Sequence, residues 1–533
     1  MTGRSSFSKI IPGFLLLFSL LMLIPLTNRE TSYTLPAEYR WTLPTVVETV
    51  SDGALFIPRL WGKPRFRKPP LVYWLMAGSA KLFSFNLFWI RLPVVLFSAL
   101  SLLLVYFFMK TLNADEKECI SASLILLGFF GYYTYSRIAA LEVPMLFFTL
   151  ASFYGLAVFF LKDRPFGIFI ASFFSGLTMM TKSHATVFSI VIFILLWVLF
   201  NRDWHILKKN RAPILMGIVI FLLVVLPWYI YLLSAYGNAF ISDITGELVG
   251  ERYKAGHYDL IGMLVGILAL VFPFTLLFLN SLHTAFIKKT RENRFLLIYI
   301  ISVILPYVFI TSQKMRYMVP LLPAAACMIS LNIKDFGRSF PVIMRLTGLL
   351  LAVPALIILW LGIKLGIIPL PTLFPAIGAA AATFYFFYRK KPVVSFAMTA
   401  VFEFIFIGLI YSGIGLWQIP DGIADKVKTG KTATFRRRPF FLAVKTKQKP
   451  FIDVTDTESF KKAAGNNALL YIAQHDFPKF EALMKESGFT RYRKAITWVR
   501  FNEFPKDRDV KEAFYSGDVE KLKEKTYFIN NIE

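Results

Sequence analysis

Apolar residues along this chain gather in long runs separated by short charged breaks. A bilayer-crossing helix needs roughly 20 mostly apolar residues, and by that ruler about thirteen segments predict spans. They lie near 9–27, 87–109, 119–136, 143–161, 166–181, 184–200, 212–235, 259–280, 295–312, 317–332, 341–364, 370–388 and 393–417. The breaks carry cations in alternation: Lys110 and Lys117; Lys162 and Arg164; Arg202, Lys208, Lys209 and Arg211; Lys288, Lys289, Arg291 and Arg294; Lys334 and Arg338; Arg389, Lys390 and Lys391. Under this span order, all of these loops share a side with the N-terminus. Cations concentrate in cytoplasmic loops, so that side is expected to be cytoplasmic, and an odd count puts the C-terminus outside. The first run follows Arg4 and Lys9 but has no small-residue cleavage site after it, so a retained helix is expected.

Three regions depart from the bundle pattern. Residues 28–86 and 236–258 form long outer loops. From about 418 polar and charged residues dominate, with β-like runs at 441–444 and 468–473 and amphipathic stretches near 456–464 and 476–487. The expected organisation is a transmembrane domain over 1–417 and a small soluble α/β domain over 418–533 on the outer side. No internal repeat or low-complexity tract is visible.

Composition narrows the class. Of 533 residues, 56% are hydrophobic and 17% charged, against about 25% charged in an ordinary soluble domain. A soluble protein could not bury so much apolar side chain, so a cytosolic enzyme, a disordered chain and a disulfide scaffold are excluded. The net charge of +26 would suggest nucleic acid in a soluble protein. In a multispanning chain, cytoplasmic loops and anionic lipid headgroups account for it, and no nucleic-acid partner is expected. Cys119 and Cys327 lie in or beside apolar runs and provide neither a disulfide frame nor a Cys-rich metal site.

Candidate chemistry concentrates in the first outer loop. Arg29, Arg40, Arg59, Lys63, Arg65, Arg67 and Lys68 interleave there with Trp41, Phe56, Ile57, Leu60 and Trp61. That pattern suits a loop on the membrane surface with an anion site for phosphate, pyrophosphate or a sugar acid. The prolines after Lys68 extend the chain and present that lysine at the mouth of an apolar stretch. Weaker signals lie elsewhere. Asp243, Glu247 and Glu251 share one face of a helix; a divalent metal is conceivable there, though a solvated face is the commoner cause of such spacing. Glu403 is an acid inside the last span, expected as a helix–helix hydrogen-bonder. His184, the Asp-Arg-Asp at 507–509 and the Arg run at 436–438 have bland explanations.

Several segments carry a family resemblance: AEYRW (37–41), VSDGALFIPRLWGKPRFRKPPLVYWL (50–75), SRIAALEVPMLFFTLA (136–151), GLTMMTKSH (176–184), PWYIYLL (227–233), GELVGERYKAGH (246–257), FPFTLLFL (272–279) and SQKMRYMVPLLPAAA (312–326). In this order the chain resembles the GT-C membrane glycosyltransferases, particularly the bacterial lipid A aminoarabinose transferases and their protein O-mannosyltransferase relatives. The likeness covers about residues 10–330. It implies a mainly α, polytopic helix bundle of GT-C type. It also implies sugar transfer from a polyprenyl-phosphate donor to lipid A or a related envelope glycolipid on the outer face of the bacterial inner membrane. On this resemblance Lys68, Arg67, Arg252 and His257 would bind substrate phosphate. Arg40, Arg137, Lys182, Lys314, Arg316 and Tyr317 would line the cavity rim, and Glu38 and Glu142 are the candidate catalytic carboxylates. No cofactor is implied with certainty beyond a conceivable divalent metal.

Two family acids are absent, since Ala37 and Arg67 occupy their places. Glu38 or Glu142 would then serve as base, unless the acceptor is already an anion and needs no deprotonation. Arg67 in place of an acid would suit a donor sugar bearing a carboxylate, such as a uronic acid. A non-catalytic lipid-binding or transport protein and a protein O-mannosyltransferase remain the alternatives.

Overall fold

The computed structural model describes all residues except 1–2, 26, 30–37, 54–55, 61, 183, 247–258, 309–313, 365–367, 369, 412–420, 429–430, 436–443, 446–451, 502–511, 513–515, 517, 519, 521–522 and 533. Every predicted span overlaps helix within its described residues. In chain order these are α1 (Gly3–Leu23), α4 (Leu87–Thr111), α5 and α6 (Glu116–Leu127, Phe130–Tyr135), α7 (Glu142–Lys162), α8 (Phe166–Met179), α9 (His184–Asn201) and α11 (Arg211–Thr245). They continue with α12 and α13 (Leu260–Leu270, Thr275–Lys288), α14 (Arg291–Val308), a 3-10 turn Met315–Leu321 running into α15 (Leu322–Asn332), α16 (Phe340–Lys364), α17 (Leu373–Tyr388) and α18 (Pro392–Glu403). A π-helical segment, Phe404–Tyr411, extends α18. Among the described residues, seven helices are long and apolar enough to cross a membrane, or eight if α12 and α13, bent by 108°, are one span. The predicted span 119–136 is broken at Gly128–Phe129, between α5 and α6.

The pairing of α7 with α8 matters most for the site. The two helices are antiparallel, turned at Asp163, which adopts a left-handed φ of 49°. They touch backbone to backbone at Gly155 and Gly167. A Cβ on Gly167 would lie 2.4 Å from the Gly155 carbonyl oxygen, and one on Gly155 would lie 2.5 Å from the Ala171 amide. Close approach of small residues is how membrane helices associate without a hydrophobic driving force. Thirteen residues back from Gly155 lies Glu142, and thirteen on from Gly167 lies Met180. At 1.5 Å per residue both points are about 20 Å from the crossing, so the start of α7 and the turn after α8 meet at one end.

At the opposite end the basic loops close a ring. Lys162 Nζ donates to Asn113 Oδ1 (2.5 Å), and Lys209 pairs with Asp163 (2.7 Å). Arg291 pairs with Asp203 (2.9 Å) and Lys288 with Asp335 (2.5 Å). Lys334 reaches back to Asp115 (2.6 Å) and Glu118 (3.0 Å). Five of the six loops that hydropathy alternation assigns to one side therefore sit together. Most of these pairs are solvent-exposed and individually weak; their value is that they fix helix parity.

The first outer loop is folded. A π-helical turn Glu38–Thr42 leads into α2 (Leu43–Asp52), a two-residue hairpin of β1 (Arg59–Leu60) and β2 (Lys63–Pro64), then α3 (Leu71–Leu82). In the second outer segment α11 continues past the predicted end at 235 to Thr245, kinked at Gly237 (φ 45°, ψ −119°). That φ favours glycine.

The C-terminal region contains a five-stranded mixed sheet in the order β4 (Ile452–Val454), β3 (Thr432–Phe435), β5 (Leu469–Ala473), β7 (Lys523–Asn530), β6 (Arg493–Phe501). Helices Thr457–Gly465 and Phe477–Glu486 cover one face through Phe460, Phe480 and Met484. The expected strand at 468–473 and both amphipathic helices are present. Residues 441–443 of the other expected strand lie outside the described residues.

Candidate active site

Where α7 begins and α8 ends, Glu142 is buried and accepts a hydrogen bond from Lys182 Nζ at 2.6 Å. Arg316, from the 3-10 turn, places Nε 3.6 Å from the same carboxylate oxygen. Tyr317 lies under both cations, with Lys182 Nζ and Arg316 Cζ 5.5 and 5.9 Å from its ring centroid. Tyr307, at the end of α14, stacks on Tyr317 at 5.4 Å. The first outer loop supplies the last wall. Tyr73, on the first turn of α3, is fully buried, and Arg65 lies 5.5 Å from its ring. Burial raises the Tyr73 pKa; Arg65 lowers it by charge and by hydrogen bonding, Glu142 raises it and Arg316 lowers it, with a net rise. Lys314 precedes the 3-10 turn, where burial and then the neighbouring Arg316 charge lower its pKa. Among the described residues, one carboxylate thus stands with Lys182, Arg316, Arg65 and Lys314. This excess of positive charge, partly out of water, calls for an anion.

The Lys68-Pro-Pro segment is held over this cluster by apolar packing. Ile57 and Phe66 bury themselves against Trp228, Leu232 and Phe240 of α11 and against Met180. The Phe66 ring meets Tyr236 at 4.9 Å and Phe240 at 5.8 Å, and Trp228 Nε1 donates to the Phe56 carbonyl at 3.0 Å. The Leu71 amide donates to the Met180 carbonyl at 3.2 Å, tying the start of α3 to the turn that carries Lys182. Pro69 and Pro70 are buried and Lys68 is half-buried. The apolar residues that interleave with the loop cations in sequence are in part the ones that dock it on α11.

Other predicted residues lie elsewhere. Glu38 is completely buried, and its two oxygens accept from Arg91 Nε (2.7 Å) and Nη2 (2.9 Å), with the Ala139 amide on Oε1 at 2.6 Å. Arg137 is buried at the end of α1, where its guanidinium donates to the carbonyls of Leu23 (3.3 Å) and Pro25. It closes a helix C-terminus and is separate from the Glu142 cluster. Arg67 pairs with Asp243 at 2.9 Å, joining the first loop to the α11 extension. The pairing with Asp243 balances the Arg67 charge within the protein. It also gives Asp243 a cation partner, and Glu247 and Glu251, the other two acids of the conceivable metal site, lie outside the described residues. Among the described residues no three His, Cys, Asp or Glu side chains gather as metal ligands. Arg252 and His257 also lie outside the described residues, as does the Arg40 side chain.

Tyr73 and Arg91 escaped sequence reasoning, and Arg65 entered it only as one cation among several. Arg91 follows Trp89-Ile90 inside an apolar run. An arginine within a span expects a buried partner, and that signal was available. Nothing in the pattern around Tyr73 distinguishes it from a core aromatic.

The chain is similar to several known proteins. Residues 55–239 match the family described as dolichyl-phosphate-mannose-protein mannosyltransferase. An uncharacterised Aquifex aeolicus protein is 26% identical over 278 residues, 52% of this chain and 55% of that one. The undecaprenyl phosphate-α-4-amino-4-deoxy-L-arabinose arabinosyl transferase of Pseudomonas paraeruginosa is 27% identical over 233 residues, 43% of this chain and 40% of that one. The matches thus span about half the length of these curated relatives or less. Among solved structures, ArnT from Cupriavidus metallidurans in the apo state superposes with a TM-score of 0.67 at 13% identity, over 99% of this chain and 98% of that one. The same protein bound to undecaprenyl phosphate gives 0.66 at 15% identity, with the same coverage. The chain therefore has the polytopic GT-C fold of ArnT over nearly its whole length, and its first outer loop through α11 resembles the protein mannosyltransferase family.

Proposed function

We propose that this protein is an integral-membrane glycosyltransferase of the bacterial inner membrane. It moves a sugar from a polyprenyl-phosphate donor to lipid A or a related envelope lipid on the outer, periplasmic face. The observation that carries this is the buried Glu142 carboxylate facing a surplus of cations beneath the docked Lys68-Pro-Pro loop. Phosphate recognition uses Arg forks and Lys point charges, which this end of the bundle supplies. The likeness to ArnT, solved with undecaprenyl phosphate, and to the Pseudomonas arabinosyl transferase supports the donor class.

The cations organise the chemistry. An acceptor phosphate oxygen forms a bond to the anomeric carbon while the bond from that carbon to the donor phosphate oxygen breaks. The electron pair leaves with the polyprenyl phosphate. No proton has to move, so a general base is dispensable and charge stabilisation at the two phosphates carries the barrier. Lys68, Lys182 and Arg316 serve that stabilisation, with Arg252 and His257 proposed beside Lys68. Glu142 fixes Lys182 and Arg316 in place. Glu38, saturated by Arg91 and the Ala139 amide, holds the loop and takes no part in proton transfer.

The test is transfer by purified protein, using radiolabelled polyprenyl-phosphate pentose or hexose and lipid A. Label should appear in lipid A and disappear in Lys68→Ala. Failure of the wild-type protein to label lipid A or its precursors from any such donor would overturn the proposal.

A further inference from the structure

Among the described residues, two buried donors in the cluster have no hydrogen-bond acceptor. The Tyr73 hydroxyl is fully buried and, with the donor Arg65 beside it, has no acceptor for its own proton; Arg316 Nε makes no hydrogen bond and only a 3.6 Å ion pair with Glu142, the rest of that side chain being partly exposed. Buried polar groups are nearly always satisfied, and an orphan calls for an explanation. Here the two orphans belong to one electrostatic group. Tyr73 lies within the fields of Arg65, Glu142 and Arg316, and Arg316 Nε faces Glu142 Oε1 across 3.6 Å. They arrive from different parts of the chain: Tyr73 on α3, placed by the loop docked on α11, and Arg316 on the 3-10 turn before α15. The charge around them is positive in sum, so a third carboxylate-like oxygen is what the site lacks.

We infer that Tyr73 and Arg316 form a two-donor site for an anionic phosphate oxygen, with Tyr73 the residue that sets its position. This inference rests on the glycosyl-transfer reading for the identity of the ligand, but not for its charge. A tyrosine hydroxyl suits the task because it donates without adding charge and its ring, held by packing, gives direction. Arg316 contributes the charge, and Glu142 and Lys182 keep the guanidinium oriented. The phosphate can come from the donor or from the acceptor, and binding measurements separate the two.

The experiment compares Tyr73→Phe with wild type in three measurements. The first is thermal stability in detergent. The phenyl ring keeps the packing and removes only an unsatisfied hydroxyl, so the melting temperature should stay the same or rise. The second is direct binding of polyprenyl phosphate alone. The third is the KM and kcat for lipid A bearing its phosphates and for dephosphorylated lipid A. A roughly tenfold weaker polyprenyl phosphate affinity assigns the site to the donor. Unchanged donor affinity, with a roughly tenfold higher KM for the phosphorylated acceptor only, assigns it to the acceptor. Arg316→Lys should show the same preference with a larger loss, because the Nε donor disappears while the charge remains. If Tyr73→Phe destabilises the protein, or moves neither binding nor KM, the inference is wrong. If polyprenyl phosphate binding depends on Tyr73 while no sugar is transferred, the phosphate site stands and the glycosyl-transfer reading falls.

Discussion

Removing either member of the Glu38–Arg91 pair should unfold the outer loop before it affects chemistry. Arg91 is 1% exposed and Glu38 0%. The guanidinium makes two bonds to Glu38 and two more from Nη1, to the Thr27 carbonyl at 2.6 Å and the Arg29 carbonyl at 2.8 Å. Arg91→Ala strips all four and leaves a buried carboxylate with the Ala139 amide. Breaking a buried pair from one side costs about 3–5 kcal/mol, because the surviving charge stays desolvated. By the scaling of soluble domains this corresponds to a drop of roughly 10 °C in melting temperature. The assay is the fraction of protein that stays monodisperse on size exclusion after heating in detergent. Glu38→Gln should fall in the same direction, since it leaves Arg91 charged and half-paired. The double variant Glu38→Leu/Arg91→Leu should be less damaged than Arg91→Ala, because it removes both charges together. Turnover per folded Glu38→Gln molecule should remain within a few-fold of wild type. A Glu38→Gln protein that melts like wild type and binds donor normally, yet turns over about 10²–10⁴ times more slowly, would make Glu38 the general base and refute this reasoning.

Other outcomes follow from the same geometry. Lys182→Ala should reduce transfer about 10²–10³-fold, the usual cost of a lost charge-stabilising contact, with partial recovery in Lys182→Arg; unchanged turnover would remove Lys182 from the site. Gly167→Ala puts a Cβ 2.4 Å from the Gly155 carbonyl oxygen and should destabilise the protein by about 1–3 kcal/mol while lowering turnover, measured by the same heating assay. Asp243→Asn breaks an ion pair whose members are about one-third exposed, so its stability cost should stay below about 1 kcal/mol, and a larger loss would mean that the pair anchors the whole loop. A reporter enzyme fused at Glu533 should behave as periplasmic; a cytoplasmic signal would reverse the proposed orientation of the site.

The helical frame was legible because hydropathy runs and charged breaks are strong, repeated signals. Each predicted span overlaps helix within its described residues, and five of the six loops that alternation put on one side are tied together through Lys162, Asp163, Asp203, Lys288 and Lys334. The failures are local. Hydropathy cannot show that α11 continues through 236–245, because its amphipathic extension is stabilised by Phe66 and Ile57 from a loop far away in sequence. Nor can it show the break between α12 and α13, since Phe272, Pro273 and Phe274 are as apolar as the helices they separate. The folded first loop was visible only as a mixture of cations and aromatics. Which aromatics dock and which line a site depends on the partner surface.

The site was legible as a set of residues more than as a set of roles. Glu38 and Glu142 look equivalent in sequence, each a lone carboxylate near a family motif, and both are buried. Their surroundings separate them. Glu38 meets one guanidinium edge-on and one backbone amide, a closed pair with its charge balanced. Glu142 meets one ammonium directly and a guanidinium at 3.6 Å, with Arg65 and Lys314 adding further charge nearby. A closed pair holds structure; an open one with excess positive charge can receive an anion. The same distinction accounts for Arg67, where the family resemblance led one to expect an acid. Its charge is met by Asp243 on α11, so the substitution redirects an ion pair across the two outer loops and leaves the charge of the Glu142 cluster as it was. Loss of an acid at that position is therefore compatible with cation-borne catalysis, provided the acceptor arrives already ionised.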